Sequence, residues 1–454
     1  MSRVSLTEQL ARFAAETRIE EVPAVVLQGS RDALMDTLGA AIAGTREEVC
    51  GIAERFVRET GARPEASVWG KNLATSPLEA AFANGISAHA LDFDDSIPTL
   101  RGHPSATMIA AGLAVGEATG ASGAALLASH AIGLEIAGKL GRMLGDDHYL
   151  RGWHTSATVG AFSSATVAAR LWGLDALGMQ TAWGLAASQM SGLVRNFGTM
   201  TKPFHLGQAA RAGVLSAWLA RAGFTADTQI FDGPNNLQHT YAGADGVDLA
   251  LLVKRLAQPW EMIEPGIAVK RWPCCYGNHR PITGLLALRA EHHIHADEID
   301  DIEVAFVEGN DAALISTNPQ TALEAKFSIE YVAAATMIDG RITLDSFTDE
   351  MVQRPALRTL MTRVRRARIP AAETPRGAIF VKVAITTARG RFETRVENPP
   401  GSRHAPMNES DRYDKFMDCA QRVLTSAQAQ TLHGLIDDCA QLEDIRLLVR
   451  ATHP

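Results

Sequence analysis

The chain has 454 residues, 46% of them hydrophobic and 21% charged, and a formal net charge of −8. This length predicts two or three domains with cores large enough to need no disulfide bonds. A net negative charge disfavours nucleic-acid binding, which requires a basic surface. The five cysteines include no CxxC pair, so neither a disulfide framework nor a zinc ribbon is predicted.

No segment predicts secretion or insertion into a membrane. Residues 1–17 are charged and amphipathic, and they lack the apolar core of a signal peptide. The uncharged stretch 118–134 contains several glycines and His130, which is typical of two buried helices and not of a membrane span. We therefore expect a cytoplasmic protein with no membrane partner.

Up to about residue 260 the sequence predicts one helix after another. Apolar residues recur at i, i+3 and i+4, among many alanines, in four segments: residues 30–42, 105–115, 121–144 and 153–171. Small side chains let such helices approach closely. This part of the chain predicts a large all-helical domain.

After Pro265 the pattern changes to strands mixed with helices. Residues 301–308 alternate like a half-buried strand, and residues 378–396 predict two strands joined at Arg389 and Gly390. Residues 329–338 and 346–364 predict helices, and helix returns from Asp411. The predicted domains are an all-helical domain of residues 1–264 and 402–454 and an inserted α+β lid domain of residues 265–401.

The first candidate site segment is HALDFDDSIPTLRGHPSA, residues 89–106. This segment is too polar for an ordinary core, because it holds three carboxylates and other polar side chains: Asp92, Asp94, Asp95, Ser96, Arg101 and His103. The alternative is a helix cap with the aspartates facing water. His103 directly precedes a predicted helix, whose dipole favours a neutral imidazole there, and a neutral imidazole is a usable base. A metal site formed by the aspartates is an alternative, but no second His/Asp group at ligand spacing supports it, so no metal is predicted.

Two further segments place candidate side chains before helices. Tyr149 and His154 lie in HYLRGWHTSATVG, where the alternative for His154 is a structural, hydrogen-bonded residue. Lys202 lies in NFGTMTKPFHLGQAARAG, just before a predicted helix. Anions bind well at helix N-termini and beside lysine, so Lys202 is predicted to bind a carboxylate or, if desolvated, to act as a base.

The segment PGIAVKRWPCCYGNHRP, residues 265–281, supplies Lys270, Arg271 and Cys275. Because adjacent cysteines bridge only with strain, Cys274 and Cys275 are predicted to be small buried side chains. Only eight of the 43 basic residues are lysines, and most of these are expected on solvated faces.

No P-loop, dinucleotide fingerprint or nucleophile elbow occurs, so no organic cofactor is predicted. The histidines, lysines and arginines of these segments indicate an electropositive pocket that binds a small anionic acid.

Five motifs resemble the MmgE/PrpD family and occur in order over nearly the whole chain. They are DFDD followed by GHPS, the histidine before a helix at 154, TKPFHLGQAA, VKRWP and KFSIEY. The resemblance implies a homodimer with a large all-α domain and an inserted α+β lid domain. It also implies a substrate that is a di- or tricarboxylate, and a site that needs neither metal nor cofactor.

By motif, the resemblance assigns site residues to seven positions: Asp92, Ser96, His103, His154, Lys202, Lys270 and Tyr331. One position departs, since a histidine of the decarboxylase-type members is Cys275 here. In appearance the motifs are closest to the iminodisuccinate epimerase branch of the family.

The resemblance implies proton removal next to a carboxylate or imine carbon. Lys202, Lys270 and Arg101 are expected to bind substrate carboxylates, with Arg271 and Cys275 nearby. His103 takes a proton from one face, and Lys202, His154 or Tyr149 returns one to the other.

The predicted function is cofactor-independent epimerisation of an iminodisuccinate-like dicarboxylate. The alternatives are a dehydratase of the 2-methylcitrate or citrate type and a cis-aconitate decarboxylase-like lyase. A third reading, from another class, is a catalytically silent protein that only binds a carboxylate.

Overall fold

The computed structural model describes residues 4–243, 245–375 and 379–454. The chain forms two units. The first comprises the residues through Val194 together with Pro203–Val269 and Asn408–Pro454, and the second comprises Arg195–Lys202 and Lys270–Met407.

The boundaries between the two units lie a few residues after the predicted boundaries at 264/265 and 401/402. Two backbone hydrogen bonds join Ser96 and Ala268, 2.9 Å and 2.7 Å long, and they keep the chain with the first unit up to Val269. The short segment Arg195–Lys202 also belongs to the second unit, which no local pattern predicted.

The first unit is built mainly of helices that pack through small residues. A Cβ atom on Gly85 would lie only 2.8 Å from the Cα atom of Gly207, so glycine at these positions allows two helices to touch. The helices of this unit are α1 (Leu6–Glu16), α2 (Ala24–Gly44), α3 (Glu48–Thr60), α4 (Pro77–His89), α5 (Ser105–Thr119), α6 (Gly123–Leu150), α7 (Thr155–Leu171), α8 (Ala176–Ala187), α9 (Thr201–Arg221), α10 (Leu237–Tyr241), α11 (Leu249–Val253), α17 (Glu409–Ala420), α18 (Ser426–Asp437) and α19 (Arg446–Arg450).

The four helical segments predicted in this unit are confirmed as parts of α2, α5, α6 and α7. The uncharged stretch 118–134 is the end of α5, a corner at Gly120 (φ 69°) and the start of α6, as expected. Across the described residues, none of the helices is both long enough and apolar enough to cross a bilayer.

The first unit is not purely helical, which corrects the all-helical prediction. Two short strands, β1 (Ala66–Ser67) and β2 (Ala74–Thr75), pair antiparallel. Strands of two residues are too short to produce an alternating pattern, so the sequence gave no signal for them.

The second unit contains a mixed four-stranded sheet and short helices. Its strands are β3 (Ile299–Val307), β4 (Val364–Ile369), β5 (Val381–Thr387) and β6 (Gly390–Val396), in the order β4-β3-β5-β6. β3 pairs parallel with β4 and antiparallel with β5, and β5 pairs antiparallel with β6. Its helices are α12 (His279–Glu291), α13 (Ala322–Ala325), α14 (Ile329–Asp339), α15 (Asp349–Val352) and α16 (Pro355–Met361).

Most elements predicted for the second unit are confirmed, including the hairpin that turns at Arg389 and Gly390. Ala378, the first residue of the predicted hairpin, lies outside the described residues. The helix predicted over 346–364 is confirmed only in part, because it is divided into α15 and α16, the second of which starts at Pro355, and β4 begins at Val364. Arginines occupy half of β4, so its apolar alternation was too weak to indicate a strand.

The C-terminal helices return to the first unit, as the insertion hypothesis requires. Lys415 in α17 is buried and forms an ion pair with Asp36 in α2, with 2.5 Å between Nζ and Oδ1. Its Nζ also donates to the carbonyl of Phe93 at 2.8 Å. α17 is thereby fixed both to the core helix α2 and to the loop that follows α4.

Candidate active site

The loop between α4 and α5 forms a buried cluster of two histidines and two aspartates in the first unit. His89 ends α4, and its Nδ1 lies 2.8 Å from Oδ1 of Asp94. The His103 ring lies 4.4 Å from the His89 ring, between centroids. Oδ1 of Asp92 lies 3.4 Å from Nε2 of His103 and 3.7 Å from Nε2 of His89. Each imidazole is therefore held between two carboxylates.

The orientation of His103 is fixed by its backbone surroundings. Its Nδ1 donates to the carbonyl oxygen of Asp95 at 2.7 Å, and its backbone N–H donates to Oγ of Ser156 at 2.8 Å. A carbonyl oxygen only accepts, so Nδ1 carries a proton. The Nε2 atom then faces Asp92, whose backbone adopts the left-handed φ of 52°.

The predicted alternative, aspartates facing water, is wrong for all three aspartates of the loop. Asp92, Asp94 and Asp95 are buried, the last two completely. Burial would raise the pKa of Asp94, but the positive charges and hydrogen bonds of His103 and His89 outweigh it and hold the pKa well below its usual range. Asp94 is therefore an anion that orients both rings.

Asp95 does cap a helix, as the helix-cap alternative predicts, but its carboxyl group is buried and does not face water. Its carboxylate accepts from the backbone N–H of Ser105 at 3.3 Å and from the Ser105 hydroxyl at 2.5 Å, at the start of α5. Burial, together with the nearby negative charge of Asp36, raises the pKa of Asp95 well above its usual range. The Asp95 carboxyl group is thus structural, and it is the backbone carbonyl of this residue that contacts His103.

His154 extends the cluster through a second pair of histidines. It is the N-cap residue of α7, and its Nδ1 lies 3.1 Å from Nδ1 of His205 in α9. The His154 ring lies 6.4 Å from the His89 ring. The described part of the first unit thus holds a row of four buried imidazoles, in the order His205, His154, His89 and His103.

Sequence reasoning missed His89 and His205 as site residues, and it recognised Asp94 only as one of the carboxylates of the loop. His89 and His205 each lie on an alanine-rich helix, where a lone histidine resembles an ordinary core residue. A signal was present for His205, which follows Lys202 by three residues, one turn of the same helix.

Ser96, Arg101 and Tyr149 also belong to the first unit. Ser96 is buried and is held by its two backbone bonds to Ala268. The guanidinium of Arg101 lies 4.9 Å from the centre of the buried Tyr149 ring and 3.7 Å from a carboxylate oxygen of Asp146. Arg101 and Tyr149, predicted separately, therefore form one cation–aromatic pair.

The second unit contains three buried lysines, Lys202, Lys270 and Lys326. The Lys202 ammonium lies 4.9 Å and 5.1 Å from the ring centres of Phe197 and Phe327. Aromatic rings stabilise a cation while excluding water from it. Lys326 lies in the KFSIEY motif, where the sequence pattern indicates it as a candidate beside Tyr331 without assigning it a role.

The expectation that most lysines are solvated is wrong. Five of the eight are buried: Lys139, Lys202, Lys270, Lys326 and Lys415. Lys139 and Lys415 are explained by ion pairs within the first unit.

The remaining predicted residues of the second unit differ in exposure. Cys274 and Cys275 are buried, as expected, and the backbone N–H of Cys275 donates to the carbonyl of Lys326 at 3.0 Å. Arg271 is exposed. Tyr331 is fully buried, and its hydroxyl donates to the carbonyl of Ser346. Burial raises the pKa of Tyr331 above its usual range, so this phenol stays protonated.

The arrangement is suited to moving protons in a water-poor environment. Imidazoles exchange protons near neutral pH, and the aspartates fix their orientation. One ligand atom from each of His89, Asp92, Asp94 and His103 lies within 4.8 Å of the others, so these four side chains also have the proximity of a metal site. The sequence pattern pointed to the aspartates alone as possible metal ligands, and His89 and His103 are the further members of this group.

Comparison with known proteins shows similarity over nearly the entire chain. Residues 8–250 match the MmgE/PrpD N-terminal domain, and residues 272–441 match the MmgE/PrpD C-terminal domain. The chain is 27% identical to cis-aconitate decarboxylase of Mus musculus, over 98% of this chain and 93% of the mouse protein. It is also 27% identical to cis-aconitate decarboxylase of Homo sapiens, over 98% and 94%. A cis-aconitate decarboxylase of Aspergillus terreus is 23% identical, over 99% and 96%.

Proposed function

The chain belongs to the MmgE/PrpD family of enzymes, and on that premise we propose that it is a lyase. In this proposal it decarboxylates a small unsaturated tricarboxylate of the cis-aconitate kind, as a homodimer and without an organic cofactor. The curated relatives reported above carry the name of this activity and match the chain from end to end. They favour a lyase over the epimerase expected from the motifs.

The observation that carries the proposal is the buried His103, held between Asp92 and Asp94. A proton donor for carbon must be placed accurately and kept from bulk water, because transfer to carbon is slow. Two carboxylates and one carbonyl oxygen fix this ring, and only 9% of the side chain is exposed. These are the conditions that a general acid requires.

The proposed reaction needs one proton and no redox partner. The bond between the methylene carbon and its carboxylate breaks and releases CO₂, and its electron pair forms a new terminal double bond. The electrons of the original double bond move to the carbon beside the opposite carboxylate, where Nε2 of His103 adds a proton. A proton from water then restores His103, so one tricarboxylate and one proton yield one dicarboxylate and CO₂.

Fixed positive charge supports this reaction, because negative charge accumulates next to a carboxylate as CO₂ leaves. We assign this role to Lys270 and Arg101, and we assign to Lys202 the binding of a substrate carboxylate that is present in both the ground state and the transition state. Lys202 and Lys270 are buried cations, which attract a carboxylate more strongly than exposed ones do. His154 with His205, or Tyr149 with Arg101, is available as a second proton donor.

Epimerisation of an iminodisuccinate-like dicarboxylate is the second candidate. Cys275 favours it, because the resemblance leads one to expect a histidine there in a decarboxylase. In this alternative His103 removes the α-proton, and a group on the other face returns one. His103 would thus act as a protonated acid in the decarboxylation and as a neutral base in the epimerisation.

A substrate panel followed by proton NMR in D₂O distinguishes the candidates. Citrate, 2-methylcitrate, cis-aconitate and iminodisuccinate are each incubated with the enzyme, with His103→Ala as the control. Decarboxylation of cis-aconitate gives a new vinyl methylene signal, one carbon-bound deuterium and released CO₂. Epimerisation exchanges the α-proton of iminodisuccinate without loss of carbon, and dehydration of a citrate gives an alkene without CO₂.

Either of the last two outcomes, with cis-aconitate unchanged, would contradict the decarboxylase proposal. Binding of tricarboxylates by calorimetry with turnover of none of the four would favour the silent carboxylate-binding protein instead.

A further inference from the structure

Two hydrogen bonds fix which nitrogen of each clustered histidine faces Asp92. Nδ1 of His103 donates to the Asp95 carbonyl, and Nδ1 of His89 is directed at Oδ1 of Asp94, 2.8 Å away. Both Nε2 atoms are therefore on the side of Asp92 Oδ1, at 3.4 Å and 3.7 Å. Two imidazole nitrogens and one carboxylate oxygen therefore lie close together at the end of α4 and in the loop that follows it.

This arrangement has the two layers that protein metal sites usually show. In such sites a ligating imidazole donates its other N–H to a carboxylate or a backbone carbonyl, which fixes the ring. Here Asp94 and the Asp95 carbonyl occupy those outer positions. The inner atoms would be Nε2 of His89, Nε2 of His103 and Oδ1 of Asp92.

The two nitrogen–oxygen separations also fit the size of a zinc ion. With metal–ligand distances of about 2.1 Å, nitrogen–oxygen separations of 3.4 Å and 3.7 Å correspond to angles of roughly 110° and 125° at the metal. These values are near tetrahedral. Imidazole with carboxylate suits Zn²⁺ and similar borderline cations, whereas Mg²⁺ and Ca²⁺ prefer oxygen ligands alone.

We propose that His89, His103 and Asp92 form a binding site for Zn²⁺ or a similar transition-metal cation, and that an ion bound there inhibits the enzyme. The inhibitory half rests on the proposed function, in which Nε2 of His103 transfers the proton. A metal on Nε2 occupies the position of that proton. Turnover therefore continues in EDTA and stops when zinc is bound.

Binding is tested by calorimetry on tag-free, metal-stripped protein titrated with ZnCl₂, and by the visible absorption of bound Co²⁺. We expect one ion per chain and the intense absorption of near-tetrahedral Co²⁺. His89→Gln and Asp92→Asn should each weaken zinc binding at least tenfold. His239→Gln removes an exposed histidine of α10 and should leave binding unchanged. Circular dichroism establishes that each variant is folded.

Absence of stoichiometric zinc binding by the folded wild-type protein overturns the site. Equal affinity in wild type, His89→Gln and Asp92→Asn overturns the ligand assignment. Neither measurement needs a substrate, so both stand even if the proposed function fails.

Inhibition is tested separately, with the substrate that the NMR panel identifies. Loss of turnover should follow zinc occupancy one-for-one, and EDTA should restore it. Full occupancy with undiminished turnover overturns the inhibitory half and the role of His103, while the metal site stands. Turnover that rises with zinc overturns both inhibition and the metal-independent mechanism.

Discussion

Asp92 shows how strongly the candidate site depends on single side chains. Its φ of 52° is unfavourable for a residue with a Cβ atom, at a cost on the order of 1 kcal/mol. That conformation directs its carboxylate at two imidazoles instead of at solvent. Strain of this kind persists where the surroundings enforce it, and here buried hydrogen bonds of the same loop do so.

Substitution of His103 and of Lys202 should affect different kinetic constants. We expect His103→Ala to lower kcat by on the order of 10²-fold or more, because it removes the proton-transfer group. Lys202→Ala should chiefly raise KM, because a contact made equally in ground and transition states contributes uniform binding. Steady-state kinetics on the identified substrate measures both. Near-normal kcat in a folded His103→Ala protein would make the assignment wrong, and His154 with Tyr149 would be tested next.

Asp94 should act as a positioning residue for both imidazoles. Asp94→Asn keeps the shape but removes the negative charge that holds His89 and His103. We expect kcat to fall roughly 10- to 100-fold with KM little changed, as when the outer partner of a functional histidine is lost. Kinetics at several pH values gives a readout that a purely structural role would not move. An unchanged pH profile together with unchanged kcat would exclude this role.

The residues of the site were only partly predictable from sequence. Asp92, His103 and His154 stand in polar loops before helices, where local pattern is informative. His205 is brought to His154 across 51 residues of sequence, and that contact comes from the packing of α7 with α9. A local sequence pattern does not indicate contacts between residues so far apart in the chain. A buried histidine on an alanine-rich helix also resembles an ordinary core residue.

At the scale of elements, α17 is held to α2 by a buried ion pair in addition to apolar packing. Lys415→Met leaves Asp36 buried without its cation, and loss of one partner of a buried pair typically costs about 3–5 kcal/mol. We expect a loss of that size in the free energy of unfolding, measured with urea. The double variant Asp36→Leu with Lys415→Met should recover most of it, because no charge is then left buried. The matched control Lys254→Met alters an exposed lysine and should be nearly neutral.

A result that the double variant is as unstable as Lys415→Met alone would show that α17 depends on something other than charge pairing. The bond from Lys415 to the Phe93 carbonyl would then be the candidate, since Phe93 lies between Asp92 and Asp94.

Elements were predicted well where periodicity is long and poorly where it is short or masked by charge. α2, α5, α6 and α7 each run for several turns with small apolar residues, so their pattern is unambiguous. β4 is rich in arginine, so its own sequence does not indicate a strand. Its position in the sheet is set by pairing with β3. The assignment of Arg195–Lys202 to the second unit likewise depends on tertiary contacts.

At the scale of the whole molecule, stability should depend on pH through His130. Complete burial lowers the pKa of His130 to about 4, and its ring lies between the hydroxyls of Ser30 and Ser105. As pH falls below about 6.5, the unfolded chain binds a proton that the folded protein does not. The stabilisation is therefore complete above that pH and is lost by up to about 1.4 kcal/mol per pH unit between 6.5 and 4.

Urea unfolding of wild type and His130→Gln is measured at pH 7, 6 and 5. The contribution of His130 is the difference between the two proteins in the slope of unfolding free energy against pH. His239→Gln, at an exposed position, serves as the control. Identical pH dependence in wild type and His130→Gln would contradict the prediction.

The homodimer implied by the family should be visible in solution. Sedimentation velocity at micromolar concentration should give a species of about 97 kDa, twice the chain mass of 48.7 kDa. A single species at the chain mass over that concentration range would show that the protein is a monomer.

The burial of five lysines has a practical consequence for handling the protein. Amine-reactive dyes, biotin esters and aldehyde supports attack unprotonated amines that solvent reaches. In the described part of the native chain, Lys71, Lys254 and Lys382 are the lysines left for such reagents. Conjugation through amines should therefore be sparse and should spare Lys202 and Lys270. A sudden increase in labelling on heating would report the opening of the fold.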